Sequence, residues 1–101
     1  MKSFEELTVD VLQWAEERGI FAKATPLAQL NKTQEELDET IQAVKDEDEV
    51  EIADGIGDML VTIIIAAKMT GFDSTACLQQ AYDEIKNRTG KMVDGQFVKD
   101  V

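Results

Sequence analysis

Apolar residues recur at helical spacing in four stretches of the chain. Phe4, Leu7, Val11, Trp14 and Ala15 make up the first, a three-and-four spacing that lines one face of a helix. Ser3 followed by Glu6 is a capping-box start, and Gly19 is a stop. Ile20 to Thr25 reads as a short connection. Thr25-Pro26 then offers an N-cap and a proline at the first helical position, opening a second helix with the stripe Leu27, Leu30, Leu37, Ile41 and Val44. Lys45 to Glu49 is a charged break, read as a turn. The third helix is expected from about Val50 to Thr70, halted by Gly71. The fourth is expected from Asp73 or Ser74 to a point before Gly90, burying Leu78, Ala81, Tyr82 and Ile85. In the tail, two short β-type runs flank Asp94-Gly95, a pair that favours a type I′ hairpin. The expected fold is all-α: a four-helix bundle with a short C-terminal β-hairpin or extended tail, one domain spanning 1–101.

Composition narrows the class. The 101 residues are 44% apolar, enough for one packed domain and too many for a disordered acidic tail. So short a chain builds a modest core, and association with further copies would add to it. The first ten residues are charged and lack an apolar signal region. Met59 to Ala67, the most hydrophobic run, is too short to span a bilayer. With no histidine and one cysteine, Cys77, the chain offers no internal disulfide and no His/Cys metal site, which points to the cytoplasm. Cys77 itself reads as a small core residue. The net charge of −11 repels nucleic acid and phosphate at long range unless bound cations reverse the local field. Neither nucleic acid nor membrane is an expected partner. Four of the ten basic residues (Lys86, Arg88, Lys91 and Lys99) fall in the last sixteen positions.

The carboxylates carry the chemistry. Glu35, Glu36 and Glu39 span an arc of about 100° on the second helix, away from the leucine stripe. On their own they describe a solvated face. The third helix changes that reading. Glu51, Asp54 and Asp58 span an arc of about 60°, and Val61 and Ile65 continue the same line. Since Met59 to Ala67 is apolar on every side, the helix is expected to be covered all round there, with the acids at the mouth of a protein-walled cavity. Sheltered carboxylates need compensation. Oxygen donors without His or Cys suit Mg²⁺, with Mn²⁺ as a substitute. Gly55 and Gly57, among these acids, fit either close helix packing or room for a ligand. Trp14, the only tryptophan, fits either core packing or stacking on a flat ring. Lys86, Arg88 and Lys91 fit either ordinary helix-end charge or anion binding.

Lys32-Thr-Gln-Glu35-Glu36-Leu-Asp-Glu39, followed by Glu51-Ile-Ala-Asp54-Gly-Ile-Gly57-Asp58-Met-Leu-Val, resembles the EExxE-spacer-ExxD signature of MazG-type nucleotide pyrophosphohydrolases. Trp14-Ala-Glu-Glu-Arg18-Gly19-Ile20 and the stretch from Tyr82 to Lys99 resemble small MazG-like proteins of phages and bacteria. There is one departure. The glutamate that the family sets three residues before the Gly-Asp aspartate falls at Gly55; the acid here is displaced to Asp54, while Glu51 and Asp54 meet the ExxD spacing one turn earlier. The resemblance implies Mg²⁺-dependent cleavage between the α- and β-phosphates of a nucleoside triphosphate, dNTPs foremost. It makes Glu36, Glu39 and Asp58 the leading metal ligands, then Asp54. Glu35 and Glu51 are left as ligands, base or outer partners, with Glu35 the candidate base. Trp14 would bind the nucleobase; Lys32, Lys86, Arg88 and Lys91 would bind phosphates. Tyr82 and Phe97 read as structural. The resemblance also implies a homodimer or homotetramer whose subunits close the site together. Two other functions compete: an acidic DNA mimic or partner-binding module, and an inactive helical oligomer.

Overall fold

The computed structural model describes residues 1–101. Five helices are followed by one hairpin: α1 (Phe4–Glu17), α2 (Ile20–Lys23), α3 (Pro26–Lys45), α4 (Glu49–Met69), α5 (Ser74–Ile85), β1 (Gly90–Val93) and β2 (Gln96–Lys99). The starts of the long helices follow the sequence signals. Both halves of the Ser3–Glu6 capping box form. Thr25 Oγ1 accepts the Ala28 amide ahead of Pro26, and Asp48 and Asp73 cap α4 and α5 through their carboxylates. These bonds satisfy amides that a helix start leaves orphaned. α3 and α4 close in the same way at their C-termini. Glu47 and Gly71 adopt left-handed backbone, and the Asp48 and Phe72 amides reach back to the Ala43 and Ala67 carbonyls, the six-to-one bond of a Schellman end.

The connection expected at Ile20 to Thr25 holds one further turn of helix, α2, entered through Gly19 at φ 74°. Four residues are too few for a 3.6-residue period to show. The hairpin forms as expected, with Val93 opposite Gln96 across Asp94-Gly95, both at positive φ.

The core lies where α3, α4 and α1 meet: Ala15, Ala43, Ile64, Ile65 and Ala66 are its buried apolar residues. α3 and α4 are antiparallel and face each other through small and polar side chains. Thr33 Oγ1 donates to Thr62 Oγ1 at 2.7 Å. Two turns away along α4, a Cβ built on Gly55 would overlap Thr40 Oγ1. The buried face of α3 is therefore Glu36, Thr40 and Ala43, roughly 100° round the helix from the leucine stripe at 100° per residue.

That placement corrects three expectations. Leu30, Leu37, Ile41 and Val44 are 40–57% exposed. α4 is covered on one side only, leaving Ile56, Leu60 and Ile63 exposed. α5 buries nothing: Leu78, Ala81, Tyr82 and Ile85 are exposed, as are Cys77 and Phe97. The reason is one of supply. Five helices in so short a chain cover one side of α3 and α4, and an apolar stripe specifies that a face needs cover, not which neighbour provides it.

Gly55→Ala drives a methyl into Thr40. Overpacking costs about 1–3 kcal/mol, against a gain of about 1 kcal/mol in helix propensity. Urea unfolding is expected to show a net loss, with Thr40→Ala/Gly55→Ala recovering most of it; additivity of the two substitutions would contradict the contact.

Candidate functional site

Glu36 is held by the inner face of α3, one turn before Thr40, and is 8% exposed. It lines a cavity of about 300 Å³ with Trp14 of α1, Lys32 of α3, and Asp58 and Val61 of α4. Ile20 and Gln29 close the same space. A second cavity, of about 380 Å³, shares Trp14, Asp58 and Val61 with it and extends to Asp10 and Val11. The two are adjoining compartments with Asp58 and Trp14 on their common wall. Glu36 and Asp58 thus border one half-open cavity, Glu36 nearly buried but Asp58 exposed, against the expectation that the acids of the third helix are sheltered.

Glu39 and Glu51 sit elsewhere. They line a shallow depression of about 220 Å³ near the α3–α4 turn, with Asp46 and Asp48 at its edge. Glu35 points outward, 3.4 Å from Lys32 Nζ. Asp54 is exposed and lines none of the three spaces. No three acidic side chains of the chain gather closely enough to hold one metal ion. Lys86 pairs with Asp83 at 3.3 Å; Arg88 and Lys91 follow α5, and every residue from Ala76 onward is exposed. None of these three cations lines the cavity of Glu36 within one chain.

Lys32 is the cation of this site. Its Nζ lies 3.4 Å from Glu36 Oε1 and 3.4 Å from Glu35 Oε2, and hydrogen bonding to Glu36, then to Glu35, raises its pKa above the ordinary 10.5. One mobile ammonium, 54% exposed, is slight compensation for a nearly buried carboxylate and its neighbour. In chemical kind the donors fit a hard divalent cation: all are carboxylate oxygens, and the most sheltered has only a loose partner. In number, one chain brings them together two at a time.

The two glycines resolve differently. Gly55 is a packing glycine, filled by Thr40, while a Cβ at Gly57 would meet open space. Gly55 therefore excludes, at its own position, the side chain that the family pattern expects there. Trp14 is 44% exposed, with the Arg18 guanidinium 5.7 Å from its ring centroid, so its indole is available from the cavity. Asp10, Gln29 and Ile20 were absent from the sequence-derived set. Asp10 had a usable signal, its place one helical turn before Trp14; the other two are brought in by the turn at Gly19 and the angle of α3, which periodicity does not encode.

A family model described as the MazG nucleotide pyrophosphohydrolase domain matches residues 24–93. An uncharacterised 18.2 kDa protein from the rep–hol intergenic region of Haemophilus phage HP1 (strain HP1c1) is 35% identical over 74 residues, 73% of this chain. The chain spans 45% of that relative's length. A solved structure of the cyanophage S-2L MazG-like pyrophosphohydrolase, bound to dGDP and three catalytic Mn²⁺ ions per active site, superimposes with a TM-score of 0.73 at 22% identity, covering both chains in full. At that identity the likeness is one of fold.

The raised pKa of Lys32 has a signed consequence. Its ion pairs stabilise the folded chain fully below the unfolded value of 10.5 and are lost as pH rises through the higher folded value. The stability difference between wild type and Lys32→Met, from urea unfolding, is expected to stay level through neutral pH and to shrink only in strong alkali. A difference that vanished near neutrality would contradict the pairing.

Proposed function

This chain belongs to the family of MazG nucleotide pyrophosphohydrolase domains, and we propose that it hydrolyses nucleoside triphosphates, dNTPs foremost, to the monophosphate and pyrophosphate with Mg²⁺ as its cation. One observation carries the reading: Glu36, nearly buried on α3, opens into the same cavity as the more exposed Asp58 of α4 and the indole of Trp14. A carboxylate kept only for surface charge has no reason to be drawn inside, which disfavours a DNA mimic. The dGDP and Mn²⁺ held by the cyanophage protein support the same reading.

Glu36 and Asp58 would hold the cation, with Mn²⁺ able to replace Mg²⁺. Glu39, Glu51 and Asp54, along the same two helices, are the further acids for additional ions. Bound there, the cation would supply Lewis-acid neutralisation of phosphate charge and lower the pKa of a water molecule. Glu35 is the candidate to accept the proton of that water, for which its side chain would have to leave Lys32 and turn toward the cavity. Trp14 would stack the base, and Lys32, one turn from Glu36, would move from carboxylate to phosphate. Lys86, Arg88 and Lys91 lie away from the cavity within one chain, so their phosphate role requires a neighbouring copy. The exposed stripes Leu30–Val44 and Ile56–Ile63 supply apolar surface for a homodimer or homotetramer. Residues 1–101 would act as one domain, in the cytoplasm, where triphosphates are abundant; no helix is long and apolar enough to cross a membrane.

A panel of triphosphates with Mg²⁺, scored for monophosphate and pyrophosphate, tests the reaction. Glu36→Gln and Asp58→Asn are each expected to lower kcat by roughly 100-fold or more, since losing even an outer partner of a metal ligand costs about 10- to 100-fold. Full pyrophosphate release by either variant would remove it from the site. Millimolar Mg²⁺ should raise the Tm of wild type and raise it less for both variants. Sedimentation should give a dimer or tetramer that Leu37→Asp/Ile41→Asp dissociates; an unaltered mass in that variant would remove the stripe from the interface.

A further inference from the structure

The carboxylate of Asp10 has no part in the reaction set out above, yet it lines the same cavity as Trp14 and Asp58. It lies four residues before Trp14 on α1, so the two side chains share one helix face a turn apart. The cavity, about 380 Å³, falls within the roughly 300–1,000 Å³ of small-molecule sites. Its walls suit a flat heteroaromatic ring: an exposed indole, two valines, and an acid at the edge. Asp58 also borders the compartment of Glu36, whereas Asp10 does not; Asp10 is the acid left over for the ring. Its partner is Lys2 on the segment preceding α1, and both side chains remain about half exposed. Exposed pairs of this kind are weakly held and exchange partners readily.

A carboxylate accepts hydrogen bonds and donates none, and its two oxygens are best matched by two parallel N–H donors. Among the common bases, guanine alone carries two adjacent N–H donors on one edge, at N1 and the 2-amino group. Thymine and uracil place a single N–H between two carbonyls that repel a carboxylate. Adenine and cytosine set their amino group beside a ring acceptor. We propose that Asp10 is the base-recognition residue, accepting from the N1–H and 2-amino group of a guanine ring seated against Trp14, so that guanine nucleotides are the preferred substrates. The proposal rests on the nucleotide reading and supplies the base identity that the reading leaves open.

The test compares hydrolysis of dGTP and dITP, which keeps N1–H but lacks the 2-amino group, by wild type, Asp10→Asn and Asp10→Ala. Quenching of Trp14 fluorescence by dGMP and dIMP runs alongside, the indole being the chain's only one. Asp10 keeps about half of its side chain in solvent on α1, so both variants retain the fold. Wild type is expected to favour dGTP by about 10- to 100-fold in kcat/KM, the worth of one hydrogen bond to a charged group. Both variants should bring that ratio near one, with kcat/KM falling further for dGTP than for dITP, and Trp14 quenching should lose the same preference. A wild-type ratio near one, or a ratio unaltered in the variants, overturns the role of Asp10 while leaving hydrolysis in place. Failure of every triphosphate to react, with no quenching by any nucleotide, sinks the nucleotide reading itself.

Discussion

Gly55 has no side chain, and Thr40 fills with its hydroxyl and methyl the space a Cβ would take; farther along the same seam Thr33 and Thr62 are joined by a hydrogen bond worth about 1 kcal/mol net. Helix axes ordinarily pack about 8–10 Å apart, according to the side chains between them, and small residues at these points bring α4 close to α3. The rest of the acidic centre depends on that approach. It draws Glu36 out of solvent, sets it on one cavity with Asp58, and leaves the indole of Trp14 as the opposite wall. A bulky residue at position 40 or 55 would part the helices and return Glu36 to water.

The seam explains the electrostatics as well. The chain carries −11, so an incoming phosphate meets repulsion almost everywhere. At the mouth of the cavity the sign is balanced by a single ammonium, Lys32, divided between two carboxylates. Such a local deficit of positive charge is relieved most completely by a multivalent ion, which both neutralises the acids and offers a phosphate something to bind. With such an ion bound, Lys32 would be released from its carboxylates to meet an anion.

Local chemistry was the legible part of the sequence. Ser3, Thr25 and Asp73 cap their helices through bonds within three residues, and Asp94-Gly95 closes its hairpin for backbone reasons of its own. Asp58 was legible because helical spacing placed it in line with Val61 and Ile65, whereas spacing put Glu36 on a solvated face and only the resemblance singled it out. Glu39 and Glu51 share the same spacing but lie one and two turns nearer the Asp46–Asp48 connection, where the helices end and no third element covers them. Leu37 and Ile41 were read as inward, and they are exposed because the buried side of α3 was chosen by Gly55 and Thr62 across the seam, a choice no single-helix periodicity contains. For Asp10 the spacing to Trp14 was legible, but not that it shares a cavity with Asp58, which lies on a helix far away in sequence.

The hairpin stands apart from these considerations. All eight of its strand residues are exposed, and it has only itself for a sheet. Two strands alone are marginal in water, so its amides open by local fraying, far below the energy that unfolds α3 and α4. Lys91 faces Val98 and Gly90 faces Lys99 across the ladder, putting charge near both margins, where it discourages a foreign strand from adding on. The chain thus joins a cooperative helical body to a ribbon whose two strands hold one another and gain nothing from the core.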